Sequence, residues 1–212
     1  MLLWVSGAAT ASQHREPGDF AYYVLALSWS PSFCASRGDR DPLQCNSRHR
    51  YDFVVHGLWP QYHRGWPQFC DAGVARLPEA LPASIVDSML NIMPSRDLVR
   101  HQWNKHGTCT GLGPEEYFAL TRRLHDGIRI PARYVEPARS IEVSVRQIVA
   151  DFVSTNRGLT PAMISVDCGN RRDTARLAEL RICFSRDGAL AACGDNERRQ
   201  CRARQLVLPP VR

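Results

Sequence analysis

The chain has 212 residues, with 27 basic against 21 acidic side chains and 44% hydrophobic against 23% charged residues. That length suits one domain burying about 70% of its extended surface, and the composition excludes a disordered or fibrous chain. No apolar run approaches the ~20 residues of a membrane-spanning helix, so no membrane insertion is expected. Of the 27 basic residues only Lys105 is a lysine, and the net charge is +6. The basic groups at Arg171, Arg172 and Arg176 and at Arg198, Arg199 and Arg202 are interrupted by acids, so charge alone points only weakly to a nucleic-acid partner.

Phe20 to Trp29 is rich in aromatic and aliphatic residues and stops before Ser30-Pro31, which predicts a central strand. Ser32 to Arg50 reads as a loop closed by its own disulfide. Tyr51 to His56 reads as a second strand, ended by Gly57 and Pro60. Gln61 to Gly73 holds Tyr62, Trp66, Phe69 and Cys70 without a period, a long loop whose aromatics suggest a functional role. Apolar residues at Ile85, Met89, Leu90 and Met93 predict a helix over Pro82 to Met93, stopped by Pro94. Ser95 caps the next helix, which Gly107 ends. Pro114, followed by Glu115 and Glu116, opens a helix to about Asp126. Ser144 to Thr155 is a further amphipathic helix, and Met163 to Cys168, Leu177 to Phe184 and Ala189 to Cys193 read as strands. There is no βαβ rhythm, no internal repeat and no linker. The expected fold is α+β, a single domain with a central, mostly antiparallel sheet and flanking helices.

The eight cysteines lie at positions 34, 45, 70, 109, 168, 183, 193 and 201. No CxxC pair occurs, which weighs against a redox dithiol or a structural zinc site. Four disulfides are the economical reading, although the count leaves the pairing open, and they place the protein in a periplasm or outside the cell. Leu2 to Ala11 is a short apolar stretch ending in Ala9-Thr10-Ala11. It resembles the tail of a secretory signal without a positive start, so residues 1–12 are expected to be leader and 13–212 the domain.

Two segments concentrate chemistry. In Val54-Val55-His56-Gly57-Leu58-Trp59-Pro60 a histidine ends a strand, a glycine lets another group come close, and an indole lies nearby. In His101-Gln102-Trp103-Asn104-Lys105-His106-Gly107-Thr108-Cys109, helical spacing puts His101 with Lys105 and Gln102 with His106, while Trp103 points away to pack. Two separated histidines and a lysine suit phosphodiester transesterification. A neutral imidazole takes the 2′-hydroxyl proton, a charged one protonates the leaving 5′-oxygen, and the ammonium meets the negative charge building on phosphorus. Trp59 suits stacking on a base of single-stranded RNA. With the nucleophile supplied by the substrate, no metal or cofactor is needed. Competing readings are a zinc hydrolase using His56, His101, His106 and Cys109, and a purely structural disulfide-rich domain.

Both segments resemble the two active-site segments of the ribonuclease T2 family of secreted endoribonucleases, and Leu27-Ser28-Trp29-Ser30-Pro31 with Cys34 resembles that family's first strand and following cysteine. The resemblance covers about residues 20 to 201. It implies low-specificity cleavage of single-stranded RNA through 2′,3′-cyclic phosphates to 3′-phosphate ends, with His106 as base, His56 as acid, His101 on the phosphate and Lys105 on the transition state. Trp59 would hold the base, with Gln61 and Tyr62 as further substrate contacts. It also implies the disulfides Cys34–Cys45, Cys70–Cys109, Cys168–Cys201 and Cys183–Cys193; the chain is expected to be a monomer. One position departs: the family usually carries a glutamate where this chain has Gln102, which motivates the alternative of a catalytically weakened secreted RNA-binding or toxin-like protein.

Overall fold

The computed structural model describes residues 16–37, 41–70, 81–168, 174–197 and 201–212. The leader expected over residues 1–12 and the arginines 171, 172, 198 and 199 lie outside the described residues.

The elements in chain order are β1 (Tyr22–Trp29), α1 (Ser30–Arg37), α2 (Pro42–Cys45), β2 (Phe53–Gln61), α3 (Ala83–Met89), α4 (Arg96–Lys105), α5 (Pro114–Asp126), β3 (Ile141–Val143), α6 (Val145–Thr155), β4 (Ile164–Cys168), β5 (Thr174–Phe184) and β6 (Gln205–Leu208). The sheet runs β2-β1-β5-β6-β3, with β4 also paired to β5. Among the described residues only the β5–β6 pairing is parallel. The fold is therefore α+β with a mixed, mostly antiparallel sheet, and β1 is an interior strand as its apolar run required.

Alternation along the strands gives the sheet two unlike faces. Tyr23, Leu25, Leu27 and Trp29 of β1, Val55 and Leu58 of β2, and Leu180, Ile182 and Phe184 of β5 join one buried cluster with residues of α3, α5 and α6. Each fully buried side chain of this size contributes about 1.5–3 kcal/mol. Trp29 is sealed at the centre, its indole N–H donating to the Pro209 carbonyl at 3.0 Å. The other face carries Tyr22 and Val24 packed with Trp59 and Cys183, and on it stand the polar residues Glu179 and Arg181.

Helix starts follow the sequence. Ser95 Oγ accepts from the Leu98 amide at 3.3 Å, and Ser144 Oγ accepts from the Gln147 amide at 3.1 Å. Pro114 occupies the first turn of α5, where the Glu116 carboxylate accepts from the Gly113 amide.

Several boundaries differ from expectation. Residues 30–45 carry α1 and α2 rather than a bare loop, with the Cys34–Cys45 disulfide linking the two helices. β2 continues through Gly57 and Pro60 to Gln61, because its amides and carbonyls pair with β1 as far as Tyr22. The helix beginning at residue 83 ends at Met89, and the chain turns before Pro94. The short strand expected at Ala189 to Cys193 is one bridge, Phe184 with Leu190. Strands β3 and β6 carry too few residues to show a period; β6 is held between β5 and β3, and β3 pairs with β6.

The four disulfides are Cys34–Cys45, Cys70–Cys109, Cys168–Cys201 and Cys183–Cys193. Cys70–Cys109 closes a span of 39 residues and ties the segment after β2 to the end of α4. Replacing both partners with alanine is expected to cost about 2–5 kcal/mol. Urea unfolding of the Cys70→Ala/Cys109→Ala protein against wild type measures this, and an unchanged midpoint would contradict it.

Candidate active site

The first histidine segment is shaped by a bulge. The β1–β2 register passes from Ala26 opposite Gly57 to Leu27 opposite Val55, which leaves His56 as the extra residue of β2. A bulge re-aims the side chain it carries. His56 accordingly leaves the buried Val54-Val55 run and turns to the polar face, with its side chain 37% exposed.

On that face its Nδ1 hydrogen-bonds Oε1 of Glu179, a buried residue of β5. Because an ionised carboxylate only accepts, Nδ1 carries the proton. Oε2 of the same carboxylate accepts from Nε and Nη2 of Arg181, at 2.9 and 2.8 Å. Arg181 also reaches Oδ2 of Asp167 at 3.0 Å and lies over the Trp59 ring, 5.3 Å from its centroid. Burial alone would raise the Glu179 carboxyl; the bond and charge of His56, with those of Arg181, outweigh it and hold it at about 2.

The second segment is α4 and the residues just after it. His101 is exposed, Gln102 is buried at 1% and Lys105 is half-buried. His106 is the residue that ends the helix, and it is buried. Trp103 packs against the core beside Tyr117, as expected. The four polar residues therefore do not form one solvated face; Gln102 and His106 point inward.

The two segments meet across Gly57. The Trp59 indole N–H donates to Gln102 Oε1 at 2.8 Å. A Cβ on Gly57 would stand 2.0 Å from that oxygen and 2.4 Å from the indole nitrogen, so only glycine admits this bond. The Trp59 ring is then 5.2 Å from the His56 ring and 5.5 Å from the His106 ring, centroid to centroid. The Tyr117 hydroxyl supports the same strand from α5, donating to the Leu58 carbonyl at 2.8 Å.

His56, Trp59, Gln61, His101, Gln102, Lys105 and His106 line one cleft of about 270 Å³. Tyr62 is not among its lining residues and packs against the core instead. Arg181, Asn196, Glu197 and Trp66 complete the lining. Asn196 Nδ2 donates to Gln61 Oε1 at 3.1 Å, and its own Oδ1 accepts from the Gly65 amide at 2.9 Å. Glu197 accepts from the Tyr22 hydroxyl, and burial pushes its carboxyl upward against the bond to Tyr22 and the charge of Arg181. A second hollow, of about 470 Å³ between Phe20, Leu120 and Arg186, contains neither histidine nor lysine.

Glu179 and Arg181 were legible as alternate polar residues in an otherwise apolar strand, a signal that marks one face but not what it faces. Asn196 and Glu197 sit outside any regular element and gave none.

The two histidines stand in opposite surroundings. Burial first, then the positive charges of Lys105, His56 and His101, push His106 from its ordinary 6.5 down to about 3. Its Nδ1 is buried with no hydrogen-bond partner among the described residues, so an imidazolium there would hold an unsatisfied N–H. His101 is lowered too, by burial and then by Lys105 and His56. Among the described residues no cluster of three or more histidine, cysteine, aspartate or glutamate residues is placed to hold a metal ion. Cys109, a ligand in the zinc reading, is bonded to Cys70 and has no thiolate to offer.

The model of the Ribonuclease T2 family matches residues 20–193. The chain belongs to that family. It is 36% identical over 194 residues to a ribonuclease of Aeromonas hydrophila, covering 91% of this chain and 84% of that one. It is 29% identical over 234 residues to ribonuclease I of Escherichia coli, covering 92% and 87%. The fold is similar to that of an RNase-related protein from Calystegia sepium, with a TM-score of 0.68 at 24% identity over 91% of this chain and 98% of the other. It is also similar to trichomaglin, described as an S-like ribonuclease, with a TM-score of 0.67 at 23% identity over 92% and 100%.

Position 102 bears on how the ribonuclease-family cleft responds to pH. A carboxylate one helical turn before His106 would favour its charged form, whereas the amide of Gln102 offers no charge. A base works only when neutral, so for a reaction that uses His106 as its base the acidic limb of kcat/KM follows the titration of that ring. Gln102→Glu is expected to move that limb up by about one pH unit, and the carboxylate can still accept from Trp59. The measurement is kcat/KM on a dinucleotide across pH at fixed ionic strength in both proteins; a limb that stays or moves down contradicts the assignment.

Proposed function

We propose that this protein is an endoribonuclease that cleaves single-stranded RNA by transesterification, with low base specificity and without a metal ion. The observation that carries the proposal is the pair of imidazoles on one cleft in opposite electrostatic surroundings. His56 faces the Glu179 carboxylate, whereas burial and neighbouring cations hold His106 neutral, which suits one to give a proton and the other to take one. Family membership supports the activity class, and the intact His56, Lys105 and His106 support turnover over the weakened RNA-binding reading.

In this reaction neutral His106 takes the proton of the ribose 2′-hydroxyl, and the 2′-oxygen forms a bond to phosphorus. The bond from phosphorus to the 5′-oxygen breaks as His56 gives that oxygen its proton. The products are a 2′,3′-cyclic phosphate and a free 5′-hydroxyl. Water then opens the ring with the two roles exchanged, leaving a 3′-phosphate. Lys105, with His101 one helical turn before it on α4, supplies positive charge to the phosphoryl oxygens as charge accumulates there.

A base as weak as free His106 needs help, and the substrate supplies it. The phosphodiester anion offsets the cations of Lys105, His101 and His56 that hold the imidazole down, so His106 gains basicity when the substrate is seated. The target base stacks on Trp59 and the exposed Trp66, with Gln61 at its edge. Because Trp59 also touches both histidine rings, Trp59→Ala is expected to lower kcat as well as raise KM, beyond the 1–3 kcal/mol of a lost stacking contact. The disulfides support a periplasmic or secreted setting.

Product analysis on defined dinucleotides tests the reading. Cyclic phosphates should appear first and 3′-phosphates later, in excess EDTA as without it, while DNA of the same sequence stays intact. His56→Ala and His106→Ala should each lower kcat by ~10²–10⁴. Activity lost to EDTA and restored by a divalent ion, or wild-type turnover in His106→Ala, overturns the proposal.

A further inference from the structure

We infer that Glu179 is a positioning residue for the acid step: it holds His56 so that Nδ1 stays engaged and Nε2 delivers the proton to the leaving 5′-oxygen. The inference rests on the ribonuclease reading above and adds to it a residue from a strand that neither active-site segment contains.

Glu179 stands on β5, opposite Ser28 of β1 on one side and Asp167 of β4 on the other. Its carboxylate is buried, and its two oxygens serve different partners. Oε1 accepts from His56 Nδ1, and Oε2 accepts twice from Arg181. Arg181 is itself anchored by Asp167. The guanidinium thus fixes the carboxylate and keeps its charge matched, and the carboxylate fixes the ring. Which nitrogen of an imidazole does chemistry is set by the bond the other makes. With Nδ1 committed to Glu179, Nε2 is the nitrogen left for the cleft.

The bulge makes this contact necessary. As the extra residue of β2, His56 has no partner residue on β1 to define its direction, and its ring is more than one-third exposed. The other wall of the ring is the edge-on indole of Trp59, which limits tilt but has no acceptor for an imidazole N–H, its one polar group being a donor already given to Gln102. Among the residues hydrogen-bonded to His56, Glu179 therefore carries the orientation. A carboxylate in this place also stabilises the imidazolium before it gives up its proton.

Leaving-group dependence tests the inference, because a group acting through the acid matters only where the leaving oxygen needs a proton. On a dinucleotide, whose leaving group is an alkoxide, Glu179→Gln should lower kcat by ~10²-fold with KM changed by less than about 2-fold. On the matching nucleoside 3′-(4-nitrophenyl phosphate), whose leaving group departs unprotonated, Glu179→Gln should stay within about 3-fold of wild type. The Glu179→Gln/His56→Ala protein should be no slower on the dinucleotide than His56→Ala alone, since a positioning residue has nothing left to position. Should Glu179→Gln fail to fold, Glu179→Asp must give the same split between substrates, because it keeps the charge against Arg181 and withdraws the carboxylate from Nδ1 by one methylene. Equal losses on both substrates, no loss on the dinucleotide, or full additivity with His56→Ala overturn the inference. Failure of the wild-type protein to cleave either substrate overturns the ribonuclease reading instead.

Discussion

The hydrogen bond from the Trp59 indole to Gln102, passing over Gly57, is the contact on which the site depends. It joins β2, which carries His56, to α4, which ends at His106, and it exists only because residue 57 has no side chain. The Cys70–Cys109 disulfide and the Phe69 amide, bonded to the Lys105 carbonyl at 2.8 Å, close the same junction from the other end. Phe69 takes a positive φ of 51° to make that connection, a backbone conformation that costs a non-glycine residue about 1–3 kcal/mol. A strained residue beside a disulfide and the end of α4 indicates that the junction's geometry is held against local preference.

The sheet then divides the labour. Its apolar face supplies the cohesion, through Trp29, Leu25, Leu27 and Ile182. Its polar face supplies charge, through Glu179 and Arg181, at a place where β1 contributes only the small side chains of Ala26 and Ser28 opposite them. The bulge turns His56 onto that polar face. His106 arrives from the other direction, at the end of a helix, and is buried. One imidazole meets a carboxylate and the other meets cations and a buried wall, so one residue type stands in two unlike settings on a single cleft, as the proposed acid and base require.

The strand and helix periods, the serine caps and both histidine segments were legible in the sequence because each is written within about ten consecutive residues. The bulge at His56 was not, since a bulge is a register shift between two strands and a single strand's pattern carries no register. The extension of β2 through Gly57 and Pro60 was missed for the same reason: glycine and proline read locally as stops, and pairing with β1 overrode them. Glu179 and Asn196 enter the site through contacts spanning more than 100 residues of sequence, which no local spacing can reveal. Gln102 was visible as a departure from the family, but its bond to Trp59 was not, and that bond gives the amide a structural role alongside its electrostatic one.

The central claim is that His106, the proposed base, is kept neutral by burial and neighbouring cations. Following the His106 imidazole directly by NMR from pH 8 downward in the free protein, with His106→Gln to assign the resonance, tests it most directly. The account predicts that the ring remains neutral through the ordinary imidazole range and takes up its proton only near 3. Titration of His106 at or above 6.5 would contradict it.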